Sequence, residues 1–188
     1  ITGKFMATKV LEIGGQPKPQ AHLLWPDAEI LHLNIDADLK PDIIADAANP
    51  PEELNGTFDK VFASHVLEHF SYNMEEHVLR KWIGLLKDGG ELHIVVPSAE
   101  WAAREVLSDK PSPALLPHMH AGNVNQWDVH MNSFTMRKLR AVFERLGLKV
   151  TRAASAPYHI HVWWLDKDLE AEQHYICGVK GTPELSKA

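Results

Sequence analysis

Phe58-Asp-Lys-Val-Phe-Ala-Ser-His-Val-Leu-Glu-His-Phe70 decides how this chain is read. The stretch begins as a buried strand, with Phe58, Val61 and Phe62 suited to a core, and runs straight into a polar turn. Ala63 and Ser64 are small enough for a ligand to come close to the backbone. His65, Glu68 and His69 then put titratable groups just past the strand's carboxyl end. In an open parallel α/β sheet, that end is where ligands bind. An ordinary strand with a polar exit would read the same in isolation, so the flanking pattern has to decide.

Working outward, short apolar runs alternate with turn residues. Thr8 to Ile13 is closed by Gly14-Gly15, Ile30 to Ile35 ends at Asp36, and Asp42 to Ala45 ends at Asp46. Phe58 to Ala63 is the fourth run, and Glu91 to Val96 is a β-branched fifth closed by Pro97. Val and Ile bounded by turn residues are the strand signal. Val78, Leu79, Trp82, Ile83, Leu85 and Leu86 share one face of a helix from about Asn73, its N-cap, to Lys87, where Asp88-Gly-Gly90 stops it. A second helix spans Thr135 to Leu146, with Met136, Leu139, Val142, Phe143 and Leu146 on its apolar face and Gly147 at its end. Leu148 to Ala153 and Tyr175 to Val179 read as the last two strands. This alternation predicts an α/β fold of βαβ units with right-handed crossovers. The stretches 108–133 and 155–171 read as irregular loop insertions, of the kind that serve as lids or binding loops. The whole chain, 1–188, reads as one domain.

The 188 residues suffice for a sizeable core, and 45% hydrophobic with 23% charged residues is an ordinary globular balance. The formal net charge of -6, with no basic run, argues against broad binding to nucleic acid or an anionic membrane. The single cysteine, Cys177, excludes an intrachain disulfide and fits a reducing compartment as a small core residue. No signal peptide or membrane-spanning run is visible, so the expected location is the cytoplasm.

Three strand ends carry the chemistry. A glycine at Gly14 lets the backbone approach a ligand at the switch point of the sheet. Asp36, roughly 20 residues further on, is placed to accept both hydrogen bonds of a ribose diol. Asp46 can accept from an exocyclic amine such as that of adenine. Singly these are a turn glycine, a capping aspartate and a loop aspartate. Their succession at three strand ends is the specific signal.

With these residues in place, the sequence resembles the class I, Rossmann-like S-adenosylmethionine-dependent methyltransferases. It is most similar to small bacterial members of that group. The carrying segments are Leu33-Asn-Ile-Asp36 with Asp42-Ile-Ile-Ala-Asp46-Ala47, then Ser64-His-Val-Leu-Glu-His-Phe70, then Leu86-Lys-Asp-Gly-Gly-Glu-Leu-His-Ile-Val-Val-Pro97. Asp128-Val-His130-Met-Asn-Ser-Phe-Thr135 fits the closing pattern, and the likeness covers about Val10 to Arg152. The resemblance implies a three-layer Rossmann-like sandwich with a mostly parallel seven-stranded sheet whose last strand is antiparallel. It implies S-adenosylmethionine as cofactor, with Glu12, Gly14 and Gly15 shaping the methionine and ribose region. Asp36 and Ala37 would hold the ribose, Asp46 and Ala47 would contact the adenine, and Ser64 and His65 would lie beside the sulfonium. One departure stands out: the glycine-spaced first motif reads Gly14-Gly15-Gln16-Pro17-Lys18-Pro19, and its prolines shorten or abolish the first crossover helix.

Methyl transfer to an oxygen needs a base, and imidazole titrates near neutrality. His65, His69 and His130 are candidates, with His65 first because it lies closest to the expected methyl position, while Glu68 and His69 read alternatively as a structural pair tying the turn to the helix. No metal is expected. His118-x-His120, His130 and His159-x-His161 could assemble a metal site from two loops, but no carboxylate or cysteine stands at a familiar ligand spacing beside them. Trp101, Trp127, Trp163 and Trp164 are core residues or the walls of an aromatic acceptor pocket. A small-molecule or saccharide acceptor is the expected partner, with a homodimer left open. Two other readings also stay open: a binding or scaffold protein that kept the fold and lost the reaction, and a nicotinamide-dependent oxidoreductase. Against the second stands the missing G-x-G-x-x-G.

Overall fold

The apolar runs of the first half become parallel strands because their side chains alternate between two buried faces. In the computed structural model, which describes residues 7–15 and 18–182, the strands are β1 (Lys9–Ile13), β2 (Glu29–Asn34), β3 (Ile43–Ile44), β4 (Phe58–Ser64) and β5 (Leu86–Pro97). Two further strands follow, β6 (Leu148–Val162) and β7 (Lys167–Lys180), and the sheet order is β3-β2-β1-β4-β5-β7-β6. Strands β1 to β5 pair in parallel, and β7 is antiparallel to both β5 and β6. This is the expected mostly parallel seven-stranded Rossmann-like sheet with an antiparallel last strand.

One face carries the main core. Leu11 and Ile13 of β1, Val61 and Ala63 of β4, and Leu92, Ile94 and Val96 of β5 meet helices α2 (Glu75–Leu85) and α5 (Met136–Arg145). Val78, Leu79, Trp82 and Leu85 of α2 are fully buried there, as are Leu139 and Phe143 of α5. Each such side chain contributes about 1.5–3 kcal/mol of burial. On the other face Val10, Phe62 and Val95 pack under Ala21 and Trp25 of a much smaller cluster. Helix α1 (Ala21–Leu24) has only four residues, so the first crossover helix is cut short. Gln16 and Pro17 themselves lie outside the described residues.

Several sequence expectations are corrected. Helix α2 begins at Glu75 rather than Asn73, and Met74 occupies the cap position without a side-chain bond. Asn73 instead accepts from the Ser71 hydroxyl. The Asp88-Gly-Gly90 turn lies inside β5, which already begins at Leu86 and is irregular in register opposite Phe58 and Lys60. Helix α3 (Ala99–Val106) was not foreseen, although Ser98 caps it by accepting from Trp101 N at 3.0 Å. Within 108–133, helix α4 (Leu115–His120) interrupts the irregular chain. The largest correction concerns 155–171, which is not a loop. Strands β6 and β7 pair from Leu148↔Lys180 out to Val162↔Lys167, so the segment is the arm of a long hairpin. Among the described residues no helix is long and apolar enough to cross a membrane.

Candidate functional site

The carboxyl ends of β1 and β4 are built against each other. Gly14 has φ +71, a left-handed conformation, and its amide donates to Leu33 O at 2.9 Å. A Cβ there would lie 2.6 Å from Cγ2 of Val66. Glu12, fully buried, turns its carboxylate under the loop and accepts from Gln20 N at 2.7 Å and Ala21 N at 3.2 Å. A Cβ at Gly15 would sit 2.3 Å from that carboxylate, which is why glycine stands there. Across the gap, His65 leaves β4 at φ 55 with its amide donating to Val95 O at 2.9 Å. Backbone in this region costs a non-glycine residue about 1–3 kcal/mol and clusters at functional sites.

Two cavities lie on either side of the contact between His65 and Glu68. The first, about 510 Å³, is lined by Ile13, Gly14, Leu33, Ile35, Asp46, Ala47, His65, Val66, His69, Phe70 and Trp127, among others. The second, about 430 Å³, opens beneath α3 and α4 and is lined by Glu68, Pro97, Ala99, His118, His130 and Phe134, among others. Both fall in the size range of small-molecule sites. The first combines an apolar lining with a glycine approach and a carboxylate at one end, which fits an adenosine-bearing cofactor. Trp82 supports its far wall from below, its indole N–H donating to Ala47 O at 2.8 Å.

The partition between the cavities is a polar cluster around Glu68, which is 1% exposed. His65 Nδ1 lies 3.2 Å from Glu68 Oε1, and His130 Nε2 lies 3.8 Å from the same oxygen. The His65 contact is a charge contact rather than an aligned hydrogen bond, since neither Glu68 oxygen has a hydrogen-bond partner among the described residues. His65 Nε2 bonds Gln173 Oε1 at 2.9 Å, and its ring lies 5.0 Å from that of Tyr158. Burial works against a charged His65, but Glu68 and Gln173 outweigh it and its pKa rises. Burial likewise penalises the Glu68 carboxylate, yet His65, His69 and His130 hold its pKa below the usual range. His118 is pushed down to about 4 by burial, against the pull of its bond to the Ser98 carbonyl.

The structure brings Gly14, Asp46, Ala47 and His65 to one cavity wall. Asp36 and Ala37 follow the wall residue Ile35, and Asp36 Oδ1 accepts from Asp38 N at 3.0 Å. Ser64 is the half-buried last residue of β4. Glu12 shapes the loop from below instead of meeting a ligand. His130 stands on the second cavity, across Glu68 from His65. Glu68 contacts His65 within its own turn and His130 from a separate segment. Sequence reasoning also missed Gln173 and Tyr158, which the β6–β7 arm delivers from far along the chain, and nothing near them in sequence signals it. Trp127 lines the first cavity and Trp101 stacks on His118 at 4.5 Å. Trp163 and Trp164 are instead exposed beyond the end of β6.

The short α1 also bears on the dinucleotide reading. The amide of its first residue, Ala21, and that of the preceding Gln20 already donate to the buried Glu12 carboxylate, so they are not free for a pyrophosphate.

Comparison with known proteins agrees with this fold. The family model described as "Methyltransferase domain" matches residues 8–153. A putative methyltransferase of Bacillus halodurans superposes with a TM-score of 0.68 at 14% identity, covering 94% of each chain. A SAM-dependent methyltransferase of Methanosarcina mazei gives 0.64 at 12% identity, covering 93% of each. The 1,6-didemethyltoxoflavin-N1-methyltransferase of Burkholderia thailandensis, solved with 1,6-didemethyltoxoflavin and S-adenosylhomocysteine, gives 0.59 at 12% identity, covering 94% of this chain and 72% of that one. No curated protein matches the chain in sequence.

Proposed function

The chain belongs to the methyltransferase domain family, and on that premise we propose that it moves a methyl group from S-adenosylmethionine to a hydroxyl oxygen of a small molecule or saccharide. The observation that carries the reading is a pair of neighbouring cavities, one lined by His65 and the other by Glu68, whose side chains approach to 3.2 Å. One suits the cofactor and the other an acceptor, with a base-bearing wall between them.

When bound, S-adenosylmethionine supplies a sulfonium methyl that is already reactive, so the protein contributes alignment, exclusion of water and proton transfer. In this reading Gly14 admits the cofactor close to the backbone, the Asp36 carboxylate holds the ribose hydroxyls, and Asp46 with Ala47 receives the adenine. His65 takes the acceptor proton. Its Nδ1 faces Glu68 on the acceptor cavity, while its Nε2 is bonded to Gln173, which lines neither of the two cavities. Glu68 then steadies the imidazolium, as a carboxylate does behind a catalytic histidine. The oxygen–methyl bond forms as the sulfur–methyl bond breaks, and the bonding pair leaves on sulfur.

The test is an S-adenosylhomocysteine release assay with labelled cofactor against panels of hydroxylated small molecules and sugars. Turnover should yield O-methyl product. His65→Gln should lower kcat by about 10²–10⁴-fold while S-adenosylhomocysteine binding is retained. A product methylated at nitrogen or carbon, or an undiminished His65→Gln, would overturn the oxygen assignment.

A further inference from the structure

We propose that the wall between the two cavities binds one divalent first-row transition ion, held by Glu68, His69 and His130. The proposal goes beyond the methyl-transfer reading and stands on the geometry of the wall.

Each of the three residues offers one donor atom, and the three atoms lie within 4.8 Å of one another. They are arranged as though something positive should lie between them. Glu68 is buried and faces His65 Nδ1 at 3.2 Å, but neither carboxylate oxygen has a hydrogen bond among the described residues and Oε2 has no partner there, a costly state for a charge that a metal would relieve. His69 Nδ1 is likewise buried and without a partner among them. His130 donates its Nδ1–H to His118 O at 3.0 Å. The lone pair of the neutral ring is therefore at Nε2, facing Glu68 Oε1 at 3.8 Å. A lone pair pointed at a carboxylate repels it, and a cation between them turns that repulsion into two bonds. A histidine whose other nitrogen donates to a backbone carbonyl is also how metal-bound imidazoles are oriented.

The backbone holds the donors in place. The amides of Met131 and Asn132 donate to Glu68 O at 2.8 and 3.1 Å, tying the segment that bears His130 to the turn that bears Glu68 and His69. The rings of His69 and His130 meet edge-on at 4.9 Å. Two imidazoles and one carboxylate suit Zn²⁺ and its first-row neighbours, whereas Mg²⁺ and Ca²⁺ prefer oxygen donors. His69 lines the first cavity, while Glu68 and His130 line the second. An ion held by three protein donors keeps a position for an outside ligand, here an acceptor oxygen, whose pKa it would lower. His65 remains as the base. The paired histidines singled out from the sequence do not form such a site: His118 spends both ring nitrogens on Tyr158 and Ser98, and His161 faces Asp168 on the exposed arm.

The test needs no acceptor. The purified chain is stripped with a chelator and titrated calorimetrically with ZnCl₂. One Zn²⁺ per chain is expected, bound at least 30-fold more weakly by Glu68→Gln and by His130→Gln, while His161→Ala binds as the parent does. Because Glu68 is buried and its variants can fail to fold, Co²⁺ replacement in the parent chain gives a second readout. Nitrogen-rich four- or five-coordinate Co²⁺ absorbs strongly in the visible, unlike the hydrated ion. Absence of stoichiometric Zn²⁺ binding, a hydrated-type Co²⁺ spectrum, or unchanged affinity in folded Glu68→Gln and His130→Gln would overturn the proposal. Titration of S-adenosylhomocysteine into the same samples separates the two readings. Retained cofactor binding without Zn²⁺ removes the metal alone, and Zn²⁺ binding without cofactor leaves the metal standing and removes the methyltransferase reading.

Discussion

One added methyl group at Gly14 tests whether the exits of β1 and β4 form a single cradle. At φ +71 an alanine costs about 1–2 kcal/mol relative to glycine. Its Cβ would stand 2.6 Å from Cγ2 of Val66, far inside contact distance. Val66 is stiff at χ1, and forcing extra carbon into packed surroundings typically costs about 1–3 kcal/mol. The sum is about 2–5 kcal/mol. Since Val66 lines the first cavity, its displacement should weaken ligand binding as well as folding. The Gly14→Ala/Val66→Ala pair removes the overlap but leaves the φ penalty. The double variant should therefore be more stable than the summed single effects imply by about 1–3 kcal/mol. Urea unfolding and calorimetric titration with S-adenosylhomocysteine read both quantities. Strictly additive single variants, or a Gly14→Ala chain with unchanged stability and affinity, would refute the cradle.

Two further outcomes follow from the same packing. Trp82→Phe leaves Ala47 O without its indole donor, so it should cost about 1–3 kcal/mol in urea unfolding and weaken S-adenosylhomocysteine binding through the adenine-side wall, whereas a change in stability alone would disconnect α2 from the site. His93, on the second face of the sheet, bonds Tyr175 and Glu91, and burial pushes its pKa down to about 4 against the pull of Glu91. The unfolded chain binds this proton at about pH 6.5 and the folded chain only near 4. Stability is therefore fully present above about 6.5 and falls by up to about 3 kcal/mol as pH drops through that window. His93→Gln should flatten that part of the stability–pH curve, and a curve of unchanged slope would contradict the assignment.

Much of the fold was legible because β1 to β5 alternate between apolar faces or run apolar into a turn, and α2 and α5 show clean helical stripes. That Gly14, Asp46, Ala47 and His65 share one cavity was legible for a related reason: in a parallel sheet, chain order predicts which strand ends lie together. The hairpin arm was not legible, because its outer half buries little. From Ser155 to Tyr158 most side chains face solvent, and Pro157 argues against a strand. Its order comes from backbone pairing with β7, which leaves no hydrophobic period. Helix α3 was hidden by Pro97 before it, although Ser98 was a readable cap. The wall cluster was only half legible. His65, Glu68 and His69 stand in one segment, but His130 and Gln173 arrive from contacts that sequence spacing cannot encode. The same gap explains why His130 was weighed with the H-x-H pairs when the residues it converges with are Glu68 and His69.

The central claim is that the cavity at the ends of β1 to β4 holds S-adenosylmethionine. Calorimetric titration of S-adenosylhomocysteine into the purified chain tests it most directly. One site per chain with a micromolar Kd is expected. Asp36→Asn, which keeps the acceptor for Asp38 N but removes the charge proposed to hold the ribose, should weaken binding at least tenfold, about 1.4 kcal/mol. No binding at millimolar ligand, or an Asp36→Asn chain that binds as tightly as the parent, would contradict the claim.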